Sequence, residues 1–183
     1  MSQSSSRAGV STGKVALAVV LLSESVFFGT LLAAYAGLRS ESSWHPASGA
    51  GALILPAANT LIFLLSVIPA YLAARRPTRA NSVDLWLAST FALGLIFVAG
   101  QLYEFGRSGM RVDDAAFGGV FFALMGFHAL HVVAGLVFLG INLVRSRLGD
   151  FASQNSDAVE VGSLFWYYVV AVWLVLFTVL YLI

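Results

Sequence analysis

Five long apolar runs, at roughly 15–38, 51–74, 83–106, 117–144 and 160–183, alternate with short stretches that carry the charges and turn-forming residues. About twenty residues at ~1.5 Å rise cross a ~30 Å hydrocarbon layer, so each run is long enough to span a membrane. The connections are Arg39 to Gly49, Arg75-Arg76-Pro77, Gly106 to Asp114 and Arg145 to Asp157. They are too short for a second domain, and no internal repeat is evident. The pattern predicts an all-α integral membrane bundle of five transmembrane helices, forming a single membrane domain over 14–183 behind a flexible polar tail at 1–13. Within MSQSSSRAGVST no separate apolar stretch precedes a small-residue cleavage site, so no cleaved signal is expected.

Charge then orients the bundle. The tail and the second and fourth connections hold Arg7, Lys14, Arg75, Arg76, Arg79, Arg145 and Arg147, whereas the other side holds only Arg39, Arg107 and Arg111. The positive-inside rule therefore predicts an N-terminus inside and a C-terminus outside. Trp44, Trp86, Tyr103 and Tyr181 fall near run ends, where amphipathic rings favour the interface. A net charge of +1 gives no reason to invoke nucleic acid. The absence of cysteine removes disulfides, iron–sulfur ligation and thiolate metal sites, and leaves chemistry to histidine, carboxylate or a partner.

Ionisable groups inside the runs are the candidates for function, because they are costly in hydrocarbon. His128 and His131 lie near the middle of the fourth run, three residues apart, so both rings share a face and can meet one partner. Glu24 stands about ten residues into the first run, ~15 Å deep at helical rise. At that depth the acid is expected to be protonated or hydrogen-bonded unless water or a cation reaches it. A histidine–carboxylate contact between the first and fourth helices is sterically allowed, and it could fasten the bundle, handle protons, or meet lipid or another subunit. A metal site would be short of ligands, so none is expected. Gln101 and Glu104 share a face near the end of the third run, with Arg107 or Arg111 as the expected partner of the acid. Gly29, Ala33, Ala34, Gly126, Ala129 and Gly135 could allow close helix approach. Tyr167 and Tyr168 could fill space while offering a polar tip.

In combination these segments resemble subunit III of the haem–copper respiratory oxidases, and the resemblance runs through all five spans. Ser23-Glu24-Ser25-Val26-Phe27-Phe28 is similar to the family's acid motif, Pro56 to Thr60 with Asn59 to its Pro-x-x-Asn-Thr element, and Gln101 to Phe105 to its Gln-x-x-Glu-aromatic element. The most specific piece is Gly126-Phe127-His128-Ala129-Leu130-His131, followed by Gly135. The last helix keeps Trp166 and Trp173 but has Tyr167 and Val170 where the family usually has His and Asp. The chain begins at what looks like the third helix of the seven-helix form, so the family's lipid-filled cleft is not expected to be complete here.

The resemblance implies a bacterial, multi-pass plasma-membrane protein. Its role would be that of a non-redox subunit bound to catalytic subunit I, with subunit II and further small subunits as partners. Haem and copper would sit in those partners, with no cofactor or metal bound by this chain and phospholipid as a possible ligand. The sequence agrees, since subunit I needs about six histidines for two haems and a copper, and this chain has His45, His128 and His131. Cytochrome c is the favoured electron donor. A quinol oxidase or nitric oxide reductase partner and a stand-alone proton-coupled transporter are the alternatives. The transporter would want a broken helix or an inverted repeat, and the uninterrupted runs suggest neither.

Overall fold

The computed structural model describes residues 12–39, 50–75, 80–107, 115–148 and 157–182, and among these it is wholly helical. The helices are α1 (Thr12–Arg39), α2 (Ala50–Leu65), α3 (Val67–Ala74), α4 (Ala80–Arg107), α5 (Ala115–Arg147) and α6 (Asp157–Phe177), followed by one π-helical turn at Thr178–Leu182. Five spans result, with α2 and α3 sharing one. Helix limits extend past the apolar runs: α1 starts at Thr12 inside the expected tail, α5 covers Ala115–Arg147, and α6 starts at Asp157. Charges at the ends account for part of the excess. Asp157 and Glu160 occupy the first turn of α6 and Arg145 and Arg147 the last turn of α5, each sign suiting the helix dipole. Trp44, His45, Arg111 and most of the tail lie outside the described residues.

The second span is not the continuous helix its apolar run predicts. Pro69 has no N–H for the carbonyl of Leu65, and its ring crowds that carbonyl, so the helix breaks at Ser66. The Ser66 N–H is shared between the carbonyls of Ile62 and Phe63, 3.2 Å from each, and its hydroxyl donates to Phe63 O at 2.6 Å. The broken helix that the sequence did not suggest is thus present, with a local cause.

Helix α6 forms the centre, packing against α5, α3, α1 and α2, while α4 bridges α5 and the α2–α3 span. Helix α1 lies at the edge, packed against α5 and α6, with Phe28 and Tyr35 as its buried residues. The large apolar side chains left exposed, such as Leu22, Val26, Ile54 and Leu130, suit lipid rather than water. Lipid tails are as apolar as leucine, so interlocking shapes and hydrogen bonds must hold the helices together.

Trp166 shows how. It is fully buried, and an added Cβ at Gly94 would lie 2.7 Å from one edge of its indole, while one at Gly135 would lie 2.8 Å from another. Its Nε1 donates to Ser66 Oγ at 2.9 Å, and two turns later Trp173 Nε1 donates to Thr60 Oγ1 at 3.0 Å. Asn59 ties α2 to α4 by donating from Nδ2 to Phe97 O at 3.1 Å and to Gln101 Oε1 at 3.0 Å. An added Cβ at Gly100 would collide with that amide. At the N-terminal end, Lys14 pairs with Glu160 at 2.7 Å, Asn142 Nδ2 donates to Ala158 O at 3.1 Å, and the Ser146 hydroxyl donates to Asp84. At the opposite end Arg39 donates to Tyr35 Oη at 3.0 Å and to Val179 O in the π-helical turn at 3.4 Å.

Candidate functional site

Polar groups from three helices meet near the midplane, where α1 crosses α5 and α6. His131 Nε2 lies 3.4 Å from Glu24 Oε2, and the side chains are 15% and 33% exposed respectively. His131 Nδ1 is 2.7 Å from Phe127 O, the carbonyl one turn earlier on its own helix. A carbonyl can only accept, so Nδ1 carries the proton. A neutral His131 then turns a lone pair toward Glu24, which an ionised carboxylate would oppose. A hydrogen bond across this gap needs a proton on one of the two facing atoms, from a carboxylic acid or from an imidazolium. Phe28 and Phe165 flank the ring at 5.3 and 6.3 Å between centroids and keep it in place. The hydroxyls of Ser25 and Tyr168 are 3.3 Å apart, and Ser25 also donates to Leu21 O at 2.7 Å. Tyr168 thus joins α6 to the α1 side of the cluster.

His128 does not join them, which corrects the expectation that both histidines meet one partner. Three residues are 300° on a helix, so the rings diverge by about 60° and enter different sectors of the bundle. His131 faces α1, whereas His128 is 2% exposed and boxed by Phe63, Phe97 and Trp173, stacking on Trp173 at 5.2 Å between centroids. Neither of its ring nitrogens has a hydrogen-bond partner among the described residues.

The remaining candidates also separate. Gln101 serves Asn59, while the Glu104 carboxyl is enclosed beside Tyr181. Arg111 and the Arg107 side chain, its expected partners, lie outside what is described. Gly135 does admit a neighbour, the Trp166 ring, but Gly126 and Gly29 have open space where a Cβ would go. Neither of those two glycines takes a close neighbour from this chain, because both face away from its seams. The close approaches missed by sequence reasoning are at Gly94, Gly100 and Gly162, the last against the Asn142 amide. Their only signal was being small inside apolar runs. Tyr167 has its hydroxyl enclosed near Ser163, and Ser163 itself donates to Ala70 O at 3.2 Å. Among the described residues no group of three or more His, Cys, Asp or Glu could hold a metal ion.

Comparison with protein families matches residues 3–183 to "Cytochrome c oxidase subunit III". This chain belongs to that family. It is 35% identical over 170 residues to cytochrome c oxidase subunit 3 of Thermostichus vulcanus, covering 91% of this chain and 85% of the relative. Identity to the Synechocystis subunit 3 is 36% over 167 residues, with 88% and 72% covered. A probable cytochrome c oxidase subunit 3 of Mycobacterium tuberculosis is 34% identical over 181 residues, with 95% and 88% covered. As a family member the chain is the subunit III of a cytochrome c oxidase type, and nothing in these relatives favours a quinol oxidase, a nitric oxide reductase or a transporter.

Proposed function

We propose that the chain works as a non-redox subunit in the bacterial plasma membrane, N-terminus inside, held against the catalytic subunit I and alongside subunit II. The observation that carries this reading is the identity of 34–36% over most of the chain to proteins named as that subunit. Cytochrome c is the electron donor in this reading, and electrons and dioxygen are handled on the haem and copper of the partner subunits. The chain contributes a rigid surface to the complex.

The Glu24–His131 pair supports a contact role for α1. Glu24 is a third exposed on a helix whose exposed hydroxyls, on Ser23, Ser25 and Thr30, are bonded to backbone carbonyls, and a carboxyl open to hydrocarbon is costly until something covers it. A companion subunit seated on α1 would bury the pair.

The test is isolation of the chain under its native promoter in mild detergent, with a reduced-minus-oxidised spectrum and mass spectrometry of all retained proteins. Haem bands travelling with a large polytopic partner, and lost when this chain is stripped out alone, are expected. A colourless preparation without partners would overturn the reading.

A further inference from the structure

Of the five spans, α1 is the one this chain covers least: 6% of its apolar stretch is buried, against 22–44% in the other four. Bare apolar side chains are at home among lipid tails, so that exposure by itself names no partner. Glu24 changes the picture. At 100° per residue, Val20, Glu24 and Phe27 lie within about 60° of one another on α1, and all three are open to the outside. Phe27 meets Phe127 of α5 edge-on at 4.7 Å between ring centroids, and the exposed Leu130 stands one turn further along α5. The carboxyl therefore opens onto an apolar shelf built by two helices. Gly126, with open space where a Cβ would go, leaves room on that shelf for another backbone to come close.

Hydrogen-bond accounting fixes what is missing from the shelf. Glu24 Oε2 faces His131 Nε2, and Oε1 has no hydrogen bond among the described residues. When the two side chains are bonded, the proton between them comes from the acid or from the imidazole. Oε1 is then a carbonyl oxygen in the first case and a carboxylate oxygen in the second, an acceptor in both. In both cases the bonded pair is also neutral as a whole, so a cation beside it would bring an uncompensated charge into hydrocarbon. The missing group is a neutral donor. Depth selects its source. Glu24 lies ~15 Å into its span, about half-way through a ~30 Å core, where a phospholipid offers acyl chains that carry no donor. A side chain on another membrane helix does reach that level.

We propose that the shelf between α1 and α5 seats one transmembrane helix of a companion subunit, and that this helix presents a hydroxyl or amide N–H to Glu24 Oε1. The inference rests on the reading that the chain works inside a complex, and it gives the chemistry of the partner that covers Glu24.

The test uses the complex purified in mild detergent from cells in which a photoreactive residue replaces Leu130. Irradiation and mass spectrometry should join that position to a membrane segment of a co-purifying subunit, with a Ser, Thr, Asn, Gln, Tyr or Trp within a turn of the cross-link. A second arm follows retention of the same subunit as detergent is raised. Glu24→Gln keeps an acceptor for the partner and a donor for His131, and should retain it like the wild type. Glu24→Leu should weaken retention about tenfold, the weight of one interhelical hydrogen bond whose donor is left unpaired. A haem-bearing complex in which Leu130 labels lipid alone would overturn the proposal and leave the oxidase reading standing. A cross-linked segment without a donor, or equal retention by Glu24→Gln and Glu24→Leu, would overturn it too. A chain that retains no companion at all would overturn both.

Discussion

Gly135→Ala adds one methyl group where Trp166 leaves no room. The new Cβ would sit 2.8 and 3.0 Å from two carbons of the indole, well inside the ordinary contact distance of 3.4 Å or more. The ring has little room to retreat, because Gly94 lies so near another edge that a Cβ there would come within 2.7 Å of it, and its N–H is tethered to Ser66. Overpacking of this kind costs about 1–3 kcal/mol, and the gain from replacing glycine by alanine in a helix offsets up to about 1 kcal/mol. A net loss of up to about 2 kcal/mol is expected, while Gly126→Ala, with open space around it, should gain up to about 1 kcal/mol. Thermal unfolding in one detergent, followed by intrinsic tryptophan fluorescence, compares the two directly, and Gly94→Ala/Gly135→Ala should lose more than the sum of its parts. If Gly135→Ala stabilises as much as Gly126→Ala, the two-glycine clamp on Trp166 is wrong.

Three further outcomes follow from the polar groups. Glu24→Gln keeps a donor for His131 Nε2 and should shift stability by less than about 1 kcal/mol, whereas Glu24→Leu leaves that nitrogen unpaired and should cost about 1–3 kcal/mol; equal behaviour of the two in thermal unfolding would show that the pair is an ion pair or makes no contact. His128→Leu removes two buried unpartnered nitrogens, a gain of about 1–3 kcal/mol, and loses stacking on Trp173 of about 0.5–1.5 kcal/mol. The balance is neutral to stabilising in the same assay, and a clear loss would reveal a partner for the ring. Asn59→Leu strands Gln101 and should cost about 1–3 kcal/mol, of which Asn59→Leu/Gln101→Leu recovers a part; no recovery would mean the bond at 3.0 Å carries little.

Much of the architecture was legible because insertion into hydrocarbon is decided by local composition, which a run of residues such as 117–144 displays in full. Helix contacts are decided by shape, and shape is not periodic in the same way. Two of the glycines in those runs, Gly94 and Gly135, take the Trp166 ring, and nothing near them in sequence distinguishes them from Gly126. The break at Ser66 was in principle readable, since Pro69 stands inside an apolar run, but its repair by an indole 100 residues later was not. At the candidate site, depth alone brought Glu24 level with His131. It could not separate His131 from His128, because that division depends on which helices fill the sectors on either side of α5.

The placement of α1 also sets an order of events during synthesis. Its packing partners, α5 and α6, follow α2–α4 in the chain, so α1 enters the bilayer well before the helices that hold it. Glu24 meets His131 only after α5 arrives, and Lys14 meets Glu160 only after α6. Until then the nascent chain carries a membrane-embedded acid without its histidine, the kind of defect that quality-control proteases can read. A ribosome that stalls before Asp157 thus leaves α1 held by α5 alone, without the Lys14–Glu160 pair that fastens its other end.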